Sequence, residues 1–398
     1  MEGYGCADGQ VGGSPALILS SRWQLAPGVA VLSLAGHDAL FCEAAQKLYA
    51  LDAFAAVIAR RLADAPTPFD SLIAYCVRRG MDPSGAADAV AALVTLWSRA
   101  DLLAVAPPIQ GEVAGRFRFD LAGMPMDVSV IGDGLLQAID WPALAELPMA
   151  PAPVVSAATQ TVRSWQIRPG PSRGDEPDVI IAREGRPASI VPLAEAVPTL
   201  KARLVDNVLR ATDRIALHAA ALVRRGRALL LSGEPGAGKS TLATALTLAG
   251  LGYAGDDIAL LDGDAMVQGI AFHPTLKRGS WDLLPAYRDA LSESRVHRRA
   301  DGAVLRYLPM SEPCTGRYPV GWIALLDRGE GASARIDRIE PLAALEALLK
   351  GAFARTGRST LADIRVLSQV VSRATCWRLS YENLDQAVEL LDRATRAE

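Results

Sequence analysis

The sequence lacks the features that mark membrane, disulfide-rich and zinc-binding proteins. Its five cysteines are widely spaced and odd in number, and no two form a C-x-x-C pair, so neither a disulfide framework nor a zinc site is predicted. Its apolar runs are interrupted by Gly and Pro before they reach the ~18 residues of a membrane helix. The first ten residues hold no basic segment of the kind that opens a secretory signal. These absences favour a cytoplasmic protein that does not use a membrane.

The sequence also lacks an excess of positive charge. It has 41 Lys and Arg against 44 Asp and Glu, a net charge of −3, whereas a general binder of nucleic acid is expected to be basic. Half of the 398 residues are hydrophobic, which is enough to give each domain a core. At about 150 residues per domain, the length predicts two or three domains.

Residues 1–21 are rich in Gly and predict a flexible arm. Residues 22–105 contain short strand-like pieces followed by three helical stretches, which predicts a small winged-helix-like α+β module. Asp52 is positioned to cap the first helix, and the other two are predicted over 69–79 and 84–99. Pro107 and Pro108 prevent a continuous helix into the rest of the chain. A second domain is predicted over 112–398, with a strand-rich part (112–212) and a core (213–398).

The most specific motif is a glycine-rich loop that satisfies G-x-x-x-x-G-K-[ST] without a mismatch. An apolar strand is predicted before it and a helix after it. Backbone N–H groups of such a loop surround phosphate oxygens, while the Lys contacts the β- and γ-phosphates and the Ser hydroxyl binds Mg²⁺. The motif therefore predicts ATP and Mg²⁺ as cofactors. The predicted nucleotide-binding residues are Gly233, Glu234, Pro235, Gly236, Ala237, Gly238, Lys239, Ser240 and Thr241.

Two adjacent carboxylates, Asp256 and Asp257, follow the loop at the next predicted strand. Beside a metal triphosphate, one carboxylate can accept a proton from an attacking hydroxyl while the other serves the metal. The plainer alternative is that the two carboxylates belong to a polar turn.

His218 lies in an apolar strand, where a histidine is more often a core residue. A hairpin between that strand and residues 227–232 would bring His218 near the loop, where it can tune a carboxylate.

The segment from the His-small-small strand through the loop to the Asp pair, residues 217–261, resembles the HPr serine kinase/phosphorylase family. It is more similar still to the HPr-kinase-like enzymes of ribosomal peptide biosynthesis, including lasso-peptide kinases. In these the pattern continues into a segment such as HPTLKRGS, residues 273–280. The resemblance implies an α/β P-loop kinase domain over 112–398.

The same resemblance implies a role for each matching residue. Asp256 would be the catalytic base and His218 its partner. Lys239 and Ser240 would hold ATP and Mg²⁺, Asp257 would assist the metal, and Lys277 would lie near phosphate or substrate. The family's phosphorylase signature is not identifiable after the Asp pair, which favours a kinase without phosphate-removing activity.

The first domain resembles PqqD, a small family that includes the peptide-recognition elements of ribosomal peptide biosynthesis. The resemblance lies in its WQLAPGVAV opening and in a Tyr-x-Leu-Asp segment, Tyr49 to Asp52, that enters the first helix. It implies that a leader peptide binds as an added strand beside the third strand, with the last helix as the wall of the groove. DNA binding is disfavoured because residues 1–105 hold seven Lys and Arg against ten Asp and Glu. The third alternative is that the first domain serves only as a structural lid on the kinase domain.

Taken together, these patterns predict an ATP-dependent kinase that phosphorylates a Ser or Thr hydroxyl of a ribosomally synthesised precursor peptide. Two alternatives stay open: an ATP-dependent peptide-binding switch without phosphoryl transfer, and an HPr-type regulatory or metabolic kinase. The predicted partner is the precursor peptide, with no nucleic acid. The resemblance allows a homo-oligomer, since HPr kinase relatives are often hexamers, and the residues leave that state open.

Overall fold

A computed structural model describes residues 21–106, 113–144, 164–171, 176–353 and 359–397. The predicted arm, apart from its last residue, and the predicted break at Pro107 and Pro108 lie outside the described residues. One compact unit comprises the described residues within Met1–Phe119, Pro125–Ile139 and Pro148–Leu200. The other comprises those within Asp120–Met124, Asp140–Leu147 and Lys201–Glu398. The first unit thus holds both the N-terminal module and much of the strand-rich segment that the sequence assigns to the kinase domain.

The N-terminal module of the first unit contains short strands around three helices. Their bounds are β1 (Arg22–Leu25), β2 (Val29–Leu34), β3 (His37–Cys42), β4 (Lys47–Leu51), α1 (Ala53–Asp64), β5 (Thr67–Pro68), α2 (Phe69–Val77), α3 (Pro83–Arg99) and β6 (Leu103–Val105). The predicted cap of α1 is confirmed, since the Asp52 carboxylate accepts a hydrogen bond from the Ala55 N–H at 2.7 Å. The other two predicted helices are confirmed to within two residues at each end.

The strands of this module form two three-stranded sheets, in the orders β5-β1-β6 and β2-β3-β4. The sequence predicts short strands in this module but not the pairs that β1 makes with β5 and β6. Two- and three-residue strands carry too few side chains for a period-2 pattern to reveal them. Trp23, Leu40, Ile58 and Val94 are almost fully buried in the core of this module.

The rest of the first unit is built on a five-stranded sheet of order β11-β10-β9-β8-β7. Its elements are β7 (Val113–Leu121), β8 (Met124–Ile131), α4 (Asp133–Ala138), β9 (Trp165–Pro169), β10 (Asp178–Ala182), β11 (Ser189–Pro192) and the start of α5 (Leu193–Ala211). From Lys201 onward, α5 belongs to the second unit, as do residues 120–124 at the ends of β7 and β8. Ile180 and Ile190 of this sheet belong to the same core as the N-terminal module, and the Ala188 N–H donates to the Leu103 carbonyl at 2.8 Å. Residues 180–190, in β10, β11 and their connection, therefore complete a core that 22–105 begin.

The second unit contains the glycine-rich loop and a ten-stranded sheet. Its elements are β12 (Ile215–Leu217), β13 (Ala219–Arg224), β14 (Arg227–Ser232), α6 (Lys239–Leu248), β15 (Gly252–Gly255), β16 (Ala259–Leu261), β17 (Met266–Gly269), β18 (Thr275–Lys277), α7 (Arg288–Glu293), β19 (His297–Arg298), β20 (Val304–Tyr307), β21 (Tyr318–Arg328), β22 (Arg335–Arg338), α8 (Pro341–Lys350), β23 (Ala352–Phe353), α9 (Leu361–Arg373), β24 (Thr375–Tyr381) and α10 (Leu384–Ala397). Short 3₁₀ turns lie at Trp141–Ala143, Arg278–Ser280 and Pro285–Tyr287.

Three parallel strands, β14, β21 and β24, run side by side in this sheet. The predicted hairpin of β13 and β14 is confirmed, and its turn places Arg225 and Gly226 at φ +50° and +74°. Successive residues of a strand point to opposite faces of the sheet, and an apolar cluster covers each face of this one. Leu229 and Leu231 pack into one apolar cluster with residues of α6 and α10. Leu230 packs into another with residues of α8 and α9. Within the described residues, no helix is both long and apolar enough to cross a bilayer.

Candidate functional site

The glycine-rich loop connects the end of β14, at Ser232, to the start of α6, at Lys239. The strand and helix predicted to flank the loop are both confirmed. Gly238 has φ +90°, and a Cβ atom there would lie only 2.8 Å from the Tyr381 hydroxyl oxygen. Both the backbone angle and the close approach therefore require glycine at this position. The loop ends at a helix N-terminus, which carries the partial positive charge that favours phosphate.

Lys239 is a buried cation at the first residue of α6. Its Nζ donates hydrogen bonds to the carbonyl of Gly233 at 2.8 Å and to that of Glu234 at 3.3 Å, across the glycine-rich loop. Burial lowers the pKa of Lys239, and the nearby charges of Asp257 and Glu234 oppose that shift. The side chain is thus held over the loop, where a phosphate chain would lie.

Tyr381, the last residue of β24, supports the glycine-rich loop through a hydrogen bond. Its hydroxyl donates to the Ala237 carbonyl at 2.8 Å, and burial raises the pKa of the phenol to about 12. The hydroxyl therefore stays protonated and remains a donor at neutral pH. Sequence reasoning missed this residue, because only the parallel order β14-β21-β24 brings the carboxyl ends of distant strands to one edge.

Asp256 is a buried carboxylate between β15 and β16, only 3% exposed. Its Oδ2 accepts a hydrogen bond from the backbone N–H of Thr275 at 3.0 Å, and its Oδ1 accepts one from the Tyr253 hydroxyl at 3.3 Å. The Lys201 Nζ lies 3.7 Å from the Asp256 Oδ1. These partners surround both oxygens of the Asp256 carboxylate.

Asp257, the next residue, has a side chain that is 55% exposed and lies beside His218. The His218 Nε2 is 3.3 Å from the Asp257 Oδ1. Desolvation by the surrounding protein raises the pKa of Asp257, but the hydrogen bond from His218 and the positive charges of Lys201 and Lys239 outweigh it, so the pKa is lowered. Asp257 is therefore a charged, accessible carboxylate in the electrostatic field of the loop lysine.

The structure brings most of the predicted site residues together but pairs them differently from the resemblance. His218, at the break between β12 and β13, contacts Asp257, whereas the resemblance pairs it with Asp256. Lys277, at the end of β18, is exposed, and its charge acts on Lys239 and lowers the pKa of that lysine. Lys277 therefore lies within electrostatic range of the loop.

Three contributors to the site were not predicted: Lys201 on α5, Tyr253 on β15 and Thr275 on β18. Thr275 lies within the HPTLKRGS segment, which the sequence singles out only for Lys277. Tyr253 lies three residues before Asp256, on the same predicted strand. Lys201 is far from the motif in the chain and carries no local signal. Its contact with Asp256 depends on the path of α5.

The oxygen ligands at the loop fit Mg²⁺. In the described part of the chain, no three His, Cys, Asp or Glu side chains form a cluster that would hold a metal by themselves. Mg²⁺ usually keeps several waters and is bound through one or two carboxylates together with substrate phosphates. The Ser240 hydroxyl in the first turn of α6 and the accessible Asp257 carboxylate supply ligands of that kind.

Comparison with known proteins gives a distant structural likeness. No protein-family model matches the chain, and no curated protein matches it. Among solved structures, the chain is similar to the HPr(Ser) kinase/phosphatase from Coxiella burnetii, at 15% identity over 46% of this chain and 96% of that one, with a TM-score of 0.22. A TM-score of this size is too low to establish a shared fold or a shared activity, so the function rests on the site geometry.

Proposed function

We propose that this chain is an ATP-dependent kinase that transfers a phosphoryl group to a Ser or Thr hydroxyl of a ribosomally synthesised precursor peptide. The observation that carries the proposal is the accessible Asp257 carboxylate, hydrogen-bonded to His218 and close enough to Lys239 to alter its pKa. A proton acceptor beside a phosphate-binding lysine is the arrangement that phosphoryl transfer to a hydroxyl requires.

The phosphate-handling part of the mechanism belongs to the loop. Its backbone N–H groups and the N-terminus of α6 would hold the phosphate oxygens, and the Lys239 ammonium would neutralise charge on the transferred group. The Ser240 hydroxyl would hold Mg²⁺ together with the phosphates, and the ion when bound neutralises phosphate charge further. The Lys239 ammonium is held above the loop by the Gly233 and Glu234 carbonyls.

Asp257 is the better candidate for the base, although the resemblance gives that role to Asp256. A base must reach the acceptor hydroxyl, and the Asp257 side chain is more than half exposed whereas Asp256 is buried. Asp256 also accepts hydrogen bonds on both of its oxygens. We therefore propose that Asp257 accepts the proton. Asp256, through its hydrogen bonds, holds the turn that carries both carboxylates in place.

His218 assists by holding Asp257 in one orientation and in its charged form. Its hydrogen bond lowers the pKa of Asp257, so the carboxylate is ready to accept a proton at neutral pH. A lower pKa also makes a carboxylate a weaker base. Asp257 would therefore orient the acceptor hydroxyl and take up its proton as the phosphoryl group is transferred, rather than remove the proton before attack.

We assign the recognition of the precursor's leader segment to the N-terminal module. Among the described residues, β4 lies at one edge of the sheet β2-β3-β4, and it is the third strand of that sheet. An edge strand offers unpaired backbone groups to an added strand. Leu48 of β4 is 58% exposed, which provides an apolar contact. The acidic balance of residues 1–105 disfavours nucleic acid as the ligand.

Intact-mass analysis of a co-expressed precursor tests the proposal. The probe is a small open reading frame beside this gene with Ser or Thr near its C-terminus, expressed with the native chain or with Lys239→Ala. A mass gain of one HPO₃ group with the native chain alone supports the kinase. ATP turnover without a modified peptide supports the peptide-binding switch instead. Modification of purified HPr, but not of the peptide, supports the regulatory kinase.

A further inference from the structure

Lys201 is a buried lysine next to the Asp pair. It lies on α5, its side chain is 10% exposed, and its Nζ donates a hydrogen bond to the Thr275 Oγ1 at 2.7 Å. The aromatic rings of Phe272 and Tyr307 flank the ammonium, with centroids 5.5 Å and 5.6 Å from Nζ. An aromatic face stabilises a cation that has little access to water.

Lys201, Thr275 and Asp256 form a closed set of contacts. The Thr275 hydroxyl accepts from Lys201 while the Thr275 backbone N–H donates to the Asp256 Oδ2 at 3.0 Å. The Lys201 Nζ also lies 3.7 Å from the Asp256 Oδ1. The set therefore links α5 to β18, which ends in Lys277, and to the turn that carries both carboxylates.

We propose that Lys201 is a positioning residue of the phosphoryl-transfer site: its ammonium fixes Asp256 and β18, and thereby sets the place of Asp257. This inference rests on the proposed function and adds to it a residue that acts through Asp256 and Thr275 rather than through the glycine-rich loop. A buried lysine needs a compensating partner, and Asp256 is the carboxylate within reach. Because both side chains are buried, the pair fixes the geometry of the turn that carries Asp256.

A merely structural ion pair and a positioning residue differ in which kinetic constant their loss changes. Lys201 is hydrogen-bonded to Thr275 and lies beside Asp256 rather than on the glycine-rich loop, so the loss of a positioning residue lowers kcat while the affinity for ATP is kept. The loss of a packing residue lowers the melting midpoint and leaves the kcat of the folded chain in place.

The experiment compares Lys201→Met, Lys201→Arg and Thr275→Val in the full chain, with Lys350→Met as a matched control. Lys350 is an exposed lysine in the last turn of α8. For each variant we would measure the melting midpoint, the affinity for a fluorescent ATP analogue, and kcat and KM of Mg-ATP hydrolysis at neutral pH. Transfer to the precursor would be measured in the same way.

For Lys201→Met we expect the ATP analogue to bind within a few-fold of native affinity, while kcat falls by roughly 10- to 100-fold because a small misplacement of reacting groups is costly. Lys201→Arg, which keeps the charge, should recover most of kcat. Thr275→Val should give a smaller change in the same direction, and Lys350→Met none.

A folded Lys201→Met chain with native kcat overturns the inference, whether or not its melting midpoint is lower. So does a loss of activity that follows from weaker binding of the ATP analogue alone. If Lys201→Met does not fold, Thr275→Val decides: an unchanged kcat rejects the role. If the native chain neither hydrolyses ATP nor modifies a peptide, the proposed kinase itself fails. That result is distinct, because a failure of Lys201 alone leaves the native chain active.

Discussion

The sheet that carries the glycine-rich loop and the sheet β2-β3-β4 of the N-terminal module use their faces differently. In the loop sheet, Leu229 and Leu231 point into one apolar cluster and Leu230 into another, so helices cover both sides. In β2-β3-β4, Leu40 is fully buried on the inner face, whereas Leu34 and Leu48 are 59% and 58% exposed.

This difference matters because the two sheets have different tasks in the proposed function. A sheet covered on both sides cannot shift without disrupting two cores, so it holds the loop and the residues at its edge in fixed places. A sheet with exposed leucines and an edge strand retains apolar and backbone contacts for a partner. Rigidity is thus expected where chemistry occurs, and exposed contacts where a peptide is recruited.

The largest expected effect is at the covered sheet. Lys239→Ala should reduce phosphoryl transfer by about 10³-fold or more, since even one neutral hydrogen-bond donor is worth about 10²–10³ in rate. The fold should survive, because the lysine contacts loop carbonyls rather than core side chains. Intact-mass assays and thermal melting would measure the two effects, with Lys350→Ala as control. Undiminished transfer by a folded Lys239→Ala chain would remove the loop from the mechanism.

The next effect separates the two carboxylates. Asp257→Asn should lower the rate of transfer by about 10²–10⁴ with ATP binding retained, because it removes a general base. Asp256→Asn should lower the melting midpoint more and the rate less, since it leaves Lys201 buried beside a neutral amide. Rate, ATP affinity and melting would be measured for both. The opposite order of rates would restore the roles that the resemblance implies.

A smaller effect is a shift in pH dependence. The pKa of Asp257 is lowered, so its carboxylate form persists below the usual carboxyl range. Any stability that it contributes is present above the unfolded-state pKa and is lost as pH falls through the folded value. His218→Gln removes a hydrogen bond that lowers this pKa, so the acid limb of the rate should rise by about one pH unit or less. His37→Gln, on β3, is the control, and an unmoved limb in His218→Gln contradicts the assignment.

At the exposed sheet, Leu48→Asp should weaken binding of the precursor by about 10-fold or more, since burying a leucine is worth about 1.5–3 kcal/mol. ATP hydrolysis should not change. The full chain is the proper sample, because Ile180 and Ile190 share the core of the N-terminal module, so a fragment ending at residue 105 would lack part of that core. Fluorescence anisotropy with labelled precursor measures the effect, and Leu342→Asp, at a leucine 67% exposed, is the control. Equal binding by both variants rejects this surface.

The smallest effect is expected from charge reversal on α1. Arg60 is 56% exposed and pairs with Asp38, and exposed ion pairs add little stability. Arg60→Glu with Arg61→Glu should therefore leave the melting midpoint within error and reduce leader binding only where the leader is acidic. A large loss with a neutral leader would show that α1 lines the peptide site.

Local patterns were sufficient for the elements that lie close together in the chain. The Asp52 cap, the hairpin through Arg225 and Gly226 and the helix that starts at Lys239 all follow from residues a few positions apart. Short strands such as β5, β18 and β19 and the helix α9 were not predicted. The strands contain two or three residues each, too few to show an alternating pattern.

The sequence by itself determined the glycine-rich loop, its flanking strand and helix, and the closeness of Asp256 to Asp257, because each depends on neighbouring residues. Only the tertiary structure decided which carboxylate faces His218, that Lys201 lies against Asp256, and that Tyr381 supports the loop. Those contacts join residues that are distant in the chain. The order of strands in the sheet and the path of α5 bring them together, and neither property is encoded in local periodicity.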